Sequence, residues 1–195
     1  IDPTSAEGLK AVFYQVFVGV LMGILLQIVN AALIIGGQAV SASMGLSMAN
    51  MVDPSMGNVP VIAQFFVICS TLIFLGLGGH VLVISLLLES FEFLPINSAL
   101  DLQGLLKLTI EWSAMMFLGA ILIGLPLMAS LLFINIGLGV ITRTAPALNI
   151  FAVGFPAMIL AGIVLLSLSM TSIGYRIQWL WQESFEIIGQ ALGIR

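Results

Sequence analysis

The sequence predicts an all-α, polytopic membrane protein, and three observations lead there. Only five Lys or Arg and nine Asp or Glu occur among 195 residues, 7% in all, where an ordinary soluble domain carries roughly a quarter. Hydrophobic residues make up 61% and mean hydropathy is +1.22. That is more apolar surface than a core of this size can hide, so lipid or partner chains must cover the rest. The charges also leave neutral spans at 11–52, 54–88, 112–142 and 144–175, each longer than the about 20 apolar residues that cross a bilayer as a helix. Five scattered cations form no basic patch, which excludes a nucleic-acid binder. The single Cys69 lies in an apolar stretch and reads as a small buried hydrophobe, with no disulfide possible within the chain. No short basic region precedes an apolar one, so no signal peptide is read. Opening on Ile1-Asp2-Pro3, the chain is expected to lack its native N-terminus.

The first helix is expected to begin at Ser5, because Thr4-x-x-Glu7 forms a capping box. Continued to Val52 it would be about 70 Å long, over twice the hydrocarbon thickness, so it must tilt, leave the bilayer or break, with Gly36-Gly37 as the break. Gly19-x-x-x-Gly23 puts two bare positions on one face and reads as a packing face. From Ser41 a small-residue stripe, Ser41, Gly45 and Ala49, accompanies Met44, Met48, Met51 and Met56. Such a methionine cluster is either core filling or a surface that repacks against irregular neighbours.

Residues 52–60, Val-Asp-Pro-Ser-Met-Gly-Asn-Val-Pro, then stop the helix through two prolines and a Gly-Asn turn. This loop is either an exposed connection or a re-entrant element lining a cavity. A second helix is expected from about Val61 to Leu88, holding Gly76, Gly78, Gly79 and His80. His80 reads as a hydrogen-bonded packing residue or, alternatively, as a proton relay. Glu89, Glu92, Pro95, Asn97 and Asp101 mark a polar connection.

A third helix starts near Asp101, passes Trp112, should kink at Gly124-Leu125-Pro126, and resumes to Thr142. Residues 143–156 form a second punctuated loop, with Pro156 in the first turn of a fourth helix reaching about Ser172. Beyond it, Ile177, Leu180, Trp181, Phe185, Ile188 and Leu192 recur at helical spacing opposite Gln and Glu, giving an amphipathic tail that lies along an interface or against a partner. Tyr14, Trp112, Tyr175, Trp179 and Trp181 fall at or just beyond the span ends, as an aromatic belt would.

Phosphate-loop, zinc-protease, C-x-x-C and G-x-S-x-G patterns are absent from the sequence, so it is not read as an enzyme and no cofactor or metal site is expected. The only ionisable residues deep in a neutral span or at its loop are His80 and Asp53.

Taken together, these pieces resemble the FliR family of the flagellar type III protein export gate, with counterparts in virulence injectisomes. The matching segments are 44–49 (Met-Gly-Leu-Ser-Met-Ala) followed by Asp53-Pro54 and Gly57, then Gly79-His80-Val81-Leu82-Val83-Ile84, then 90–95 (Ser-Phe-Glu-Phe-Leu-Pro). The last and longest is 145–156, Ala-Pro-Ala-Leu-Asn-Ile-Phe-Ala-Val-Gly-Phe-Pro. Met48 stands where the family is often aromatic, and the family carries further hydrophobic segments before the Asp2-Pro3 region.

The resemblance implies a membrane protein of long, bent helical hairpins packing in a helical ring with FliP and FliQ, with FlhA and FlhB as neighbours. Unfolded flagellar proteins would pass through the ring. It further implies a FliP-like part at 1–100, a FliQ-like hairpin at 101–172 and the amphipathic helix at 173–195. Loop 47–60 would be the pore plug, with Met44, Ser47, Met48, Met51, Asp53, Pro54, Met56, Gly57 and Pro60 as plug and seal. The tip loop 143–156, with Arg143, Pro146, Leu148, Asn149, Phe151 and Phe155, would face FlhB. Gly19, Gly23, Gly45 and His80 would serve helix packing. The expected location is the bacterial inner membrane within the flagellar basal body, partly projecting to the periplasmic side, with lipid as a lesser contact. The competing reading is a proton-coupled small-solute transporter using His80; a third is a purely structural membrane scaffold.

Overall fold

The computed structural model describes residues 5–46, 60–95, 101–144 and 150–194, with the backbone alone described at 150–153. Every regular element among them is helical: α1 (Ala6–Ser43), α2 (Val61–Gly76), α3 (Gly79–Phe93), α4 (Leu102–Thr144) and α5 (Ile150–Ala191). α1, α4 and α5 have 38, 43 and 42 residues, so each is about 57–65 Å long, roughly twice a bilayer's hydrocarbon core.

α1 begins at Ala6, but its cap is Ser5, whose hydroxyl accepts from the Gly8 N–H at 3.0 Å; Thr4 lies outside the described residues. The expected break at Gly36-Gly37 does not occur. The helix runs unbroken to Ser43 because both glycines are buried at helix crossings, not exposed at a bend. Gly36 lies against the Ala120 backbone of α4, with room for a Cβ only 3.1 Å from the Ala120 carbonyl oxygen. Gly37 lies against the backbone of Ala63 in α2. Ala32-x-x-x-Gly36 thus faces Ala120-x-x-x-Gly124, two small-residue stripes that bring the backbones together and maximise dispersion where lipid offers no hydrophobic drive. The helix ends when Gly45 turns to φ +80, with its N–H bonded to the Ala42 carbonyl at 3.0 Å.

Paired positions give the helix directions. Leu25 meets Trp112, Ala32 meets Gly119 and Gly36 meets Ala120, so α1 and α4 run parallel. Gly119 also meets Leu180 and Trp112 clusters with Ile188, so α5 returns antiparallel to α4. Gly37 meets Ala63, while Ser70 meets Trp181; α2 therefore runs back along the same bundle. Leu33, Val40, Phe66, Ile123, Leu131 and Ile177 fill its centre, each at most 1% exposed.

The single helix expected over 61–88 is two. Gly78 takes φ 73, and α2 and α3 meet at 66°. The Phe74 ring, 4.6 Å from Trp181 between centroids, occupies the space beside Gly79, so α3 leaves the bundle over that ring. Gly78→Ala should lower stability by about 1 kcal/mol because a Cβ is disfavoured at positive φ. Thermal unfolding of the purified chain measures it.

α4 starts where expected: Asp101 caps it by accepting from the Gly104 N–H at 3.0 Å. It continues as one helix through Pro126. Pro156 stands inside α5, not in its first turn, because the helix is already formed at Ile150; nor does α5 stop near 172. The amphipathic tail is the second half of that one helix. Its apolar face is consumed within the chain, with Ile177, Leu180, Trp181, Ser184, Ile188 and Leu192 all buried.

Two of the five belt aromatics are therefore core residues. Trp112 is 4% exposed and donates Nε1–H to the Leu25 carbonyl at 3.1 Å; Trp181 is 5% exposed and donates to Ser70 Oγ at 2.9 Å. Tyr175 and Trp179 remain at the surface. Elsewhere the apolar helices satisfy their hydroxyls internally, as Ser43, Thr71, Thr109, Ser113 and Ser167 donate to carbonyls four residues back.

Candidate functional site

The candidate site is the end of the bundle where α1 stops and the α4–α5 hairpin turns. Met44, the residue after α1, is fully buried, and its N–H bonds to the Val40 carbonyl at 3.0 Å. Its thioether occupies the place that a Cβ on Gly162 of α5 would take. One residue on, the Phe155 ring lies 3.3 Å from the Cβ position of Gly45. Glycine fits both points: at 162 a Cβ would force the buried methionine to move, and at 45 the positive φ disfavours any other residue.

On the far side of loop 47–60, Pro60 stands before α2, and its carbonyl accepts from the Gln64 N–H at 3.1 Å. Its missing N–H costs nothing at a helix start. Three residues later, Ala63 locks onto Gly37. Both stems of the loop are thus held: the second by Ala63 backbone against Gly37 of α1, the first by the Met44 side chain over Gly162 and the Phe155 ring over Gly45. The same contacts set the loop stems beside the hairpin tip, since Phe155 is only five residues beyond the first residue of α5. Sequence spacing separates segments 47–60 and 143–156 by over eighty residues; packing sets their roots together.

Arg143 is exposed near the end of α4, on the tip side, and Phe155 is half-buried. Ser47, Met48, Met51, Asp53, Pro54, Met56, Gly57, Pro146, Leu148 and Asn149 lie outside the described residues, as does the side chain of Phe151. Among the described residues, Gly19 and Gly23 have no atom within 4 Å of their Cβ positions. They line an apolar groove of about 180 Å³, closed on its other side by Val83, Leu86 and Leu87 of α3 and by Ile188. His80 is exposed in the first turn of α3, just after the bend, and makes no hydrogen bond or ion pair among the described residues. No three His, Cys, Asp or Glu side chains among those residues gather as a metal set would.

The close-packing stripe Ala32-x-x-x-Gly36 against Ala120-x-x-x-Gly124 was legible as two small-x-x-x-small patterns, but a Gly-Gly pair reads first as a breaker. The Met44–Gly162 and Gly45–Phe155 contacts carry no local signal, since their partners lie over a hundred residues apart.

The apolar surface is large. Val12, Phe13 and Val16 on α1, Phe117, Phe133 and Ile136 on α4, and Leu160, Ile163 and Leu168 on α5 are all exposed. α3 buries only Gly79 and Ser90 and turns Val81, Ile84, Leu88 and Phe91 outward. Among the described residues, three helices, or four spans if the bent α2–α3 pair counts as one, are long and apolar enough to cross a membrane.

Comparison with known proteins gives one consistent result. A family model described as bacterial export proteins, family 1, matches residues 2–184. The chain is 34% identical over 189 residues to the flagellar biosynthetic protein FliR of Pectobacterium carotovorum subsp. carotovorum, covering 96% of this chain and 72% of that protein. It is 35% identical over 180 residues to FliR of Escherichia coli K12, covering 91% and 69% respectively. FliR of Bacillus subtilis 168 is 31% identical over 166 residues, covering 83% and 64%.

Proposed function

This chain belongs to the FliR family of bacterial export proteins, and from that premise we propose that it is a wall subunit of the flagellar export gate, forming with FliP and FliQ the pore for unfolded flagellar proteins. At the coarser level it is a membrane-associated component of the flagellar export apparatus. The observation that carries the finer reading is the surface of α1, α4 and α5. Each helix is roughly twice as long as hydrocarbon is thick, and each turns large apolar side chains outward: Leu9 to Ile24 on α1, Leu106 to Ile141 on α4, and Leu160 to Leu168 on α5. A bilayer covers only part of such a surface, and neighbouring helices of similar length cover the rest. FlhB and FlhA are proposed as neighbours at the hairpin tip, and the inner membrane of the basal body as the location, with part of the assembly on the periplasmic side.

The two converging loop roots support a plug role for 47–60. A plug needs anchors that do not yield and a span that can move, and Met44 in Gly162 together with Ala63 on Gly37 supply the anchors. Methionines in the span suit a seal that dewets when closed and repacks around a passing chain. Deleting Asp53 to Asn58 should make the assembled gate leak small ions, read as conductance in planar bilayers. Conductance equal to that of the intact complex defeats the plug. The transporter reading draws nothing from His80, which sits exposed at a corner with no carboxylate within ion-pair distance among the described residues. No catalytic role is proposed.

A further inference from the structure

We infer that the groove between α4 and α5 around Arg176 is a binding site for the headgroup of an anionic phospholipid. The groove is open, about 670 Å³, and Leu122 of α4 forms one wall. The other wall is a face of α5 carrying Leu168, Thr171, Ser172, Tyr175, Arg176 and Trp179.

Charge complementarity selects the occupant. Arg176 follows a 32-residue stretch without charge, 144–175, and among the described residues no carboxylate lies within 4 Å of it. A half-buried arginine beside a long uncharged stretch calls for an anion, and the neighbouring Thr171, Ser172 and Tyr175 hydroxyls can donate to the same oxygens. A phosphodiester matches that set of donors.

Depth selects the membrane as its source. Arg143 and Arg176 are the cations at the two ends of the hairpin's uncharged part. From the Arg143 end of α4 to Leu122 is about 32 Å at 1.5 Å per residue, close to the hydrocarbon thickness of about 30 Å. If one arginine stands at one headgroup layer, the other stands at the opposite layer. Tyr175 and Trp179, both exposed, flank Arg176 as interfacial aromatics do, and Leu168, 77% exposed two turns back, offers an apolar track for an acyl chain.

The full chain reconstituted in phosphatidylcholine vesicles provides the test, with a minor fraction of the lipid replaced by brominated phosphatidylglycerol or brominated phosphatidylcholine. Bromine quenches nearby tryptophan; Trp179 is 37% exposed beside the groove, whereas Trp112 and Trp181 are buried. The expected preference for phosphatidylglycerol is about fivefold, the factor that about 1 kcal/mol per interfacial cation gives. Arg176→Gln should abolish it, and Ser172→Leu, which fills the groove without removing charge, should reduce it. Phosphatidylglycerol retained on the purified wild-type chain, read by native mass spectrometry, gives a measurement independent of either variant. Equal quenching by the two lipids in wild type overturns the assignment. So does a preference that survives Arg176→Gln while a neighbouring subunit is lost from the assembled complex, which would make the arginine's partner a carboxylate of that subunit.

Discussion

Gly37→Ala is expected to cost about 3 kcal/mol or more of stability, at the upper end for overpacking a close-packed contact. The added methyl would run into the Ala63 backbone, and backbone has no rotamer to escape to, so α1 and α2 must separate. Their separation also loosens the far stem of loop 47–60. Gly36→Ala meets the Ala120 carbonyl oxygen at 3.1 Å and should cost less, about 1 kcal/mol, since a shift of a few tenths of an ångström relieves it. Gly19→Ala meets nothing within 4 Å, so the chain's own stability should be unchanged or slightly raised by the gain in helix propensity. Thermal unfolding of the three variants in detergent, followed by circular dichroism, gives the ranking. A Gly37→Ala chain that melts with wild type would show that α1 and α2 do not cross at this point.

Trp181→Ala should cost about 3–5 kcal/mol, the range for truncating a large buried aromatic. The indole is wedged between Phe74 and Phe185, with ring centroids at 4.6 and 6.4 Å, and is 5% exposed. Its loss leaves a cavity at the junction of α2, α3 and α5, where the bend at Gly78 is supported. Trp181→Phe keeps most of the packing and removes only the bond to Ser70 Oγ, 2.9 Å long, so about 1 kcal/mol is expected. Ser70 is fully buried, and the phenylalanine variant strands its hydroxyl; Ser70→Ala in that background should therefore cost less than it does in wild type. Chemical denaturation followed by tryptophan emission measures these differences. A Trp181→Ala chain as stable as wild type would mean that the tail of α5 does not pack against α2.

The tail is where sequence and structure differ most instructively. Ile177, Leu180, Trp181, Ile188 and Leu192 form an apolar stripe that any helical-period reading finds. The stripe says that something covers it, and it is silent on what. The covering surface is this chain's own α1, α2 and α4, supplied by residues such as Leu25, Ser70 and Trp112 that are over sixty positions away in sequence. Gly36-Gly37 teaches the same lesson from the other side. Glycine both breaks helices and lets helices touch, and a lone sequence cannot say which, because the deciding fact is whether another backbone passes within contact distance.

Composition and charge spacing alone determined that the chain is helical, apolar and built to be covered, where α1 and α4 begin, and where chain punctuation separates the long helices. Those features depend on local chemistry: solvation of charge, capping, and the geometry of proline and glycine. Tertiary structure decided the rest: that α1 and α4 run parallel on facing small-residue stripes, that the helix after Pro60 bends at Gly78, that two tryptophans belong to the core, and that the roots of both loops meet at Met44, Gly45, Phe155 and Gly162. Each of these turns on a pairing between residues far apart along the chain, and in an almost uniformly apolar sequence nearly every helix face offers such a pairing. Polarity, the usual guide to what lies inside, is nearly constant here, so shape selects the partner.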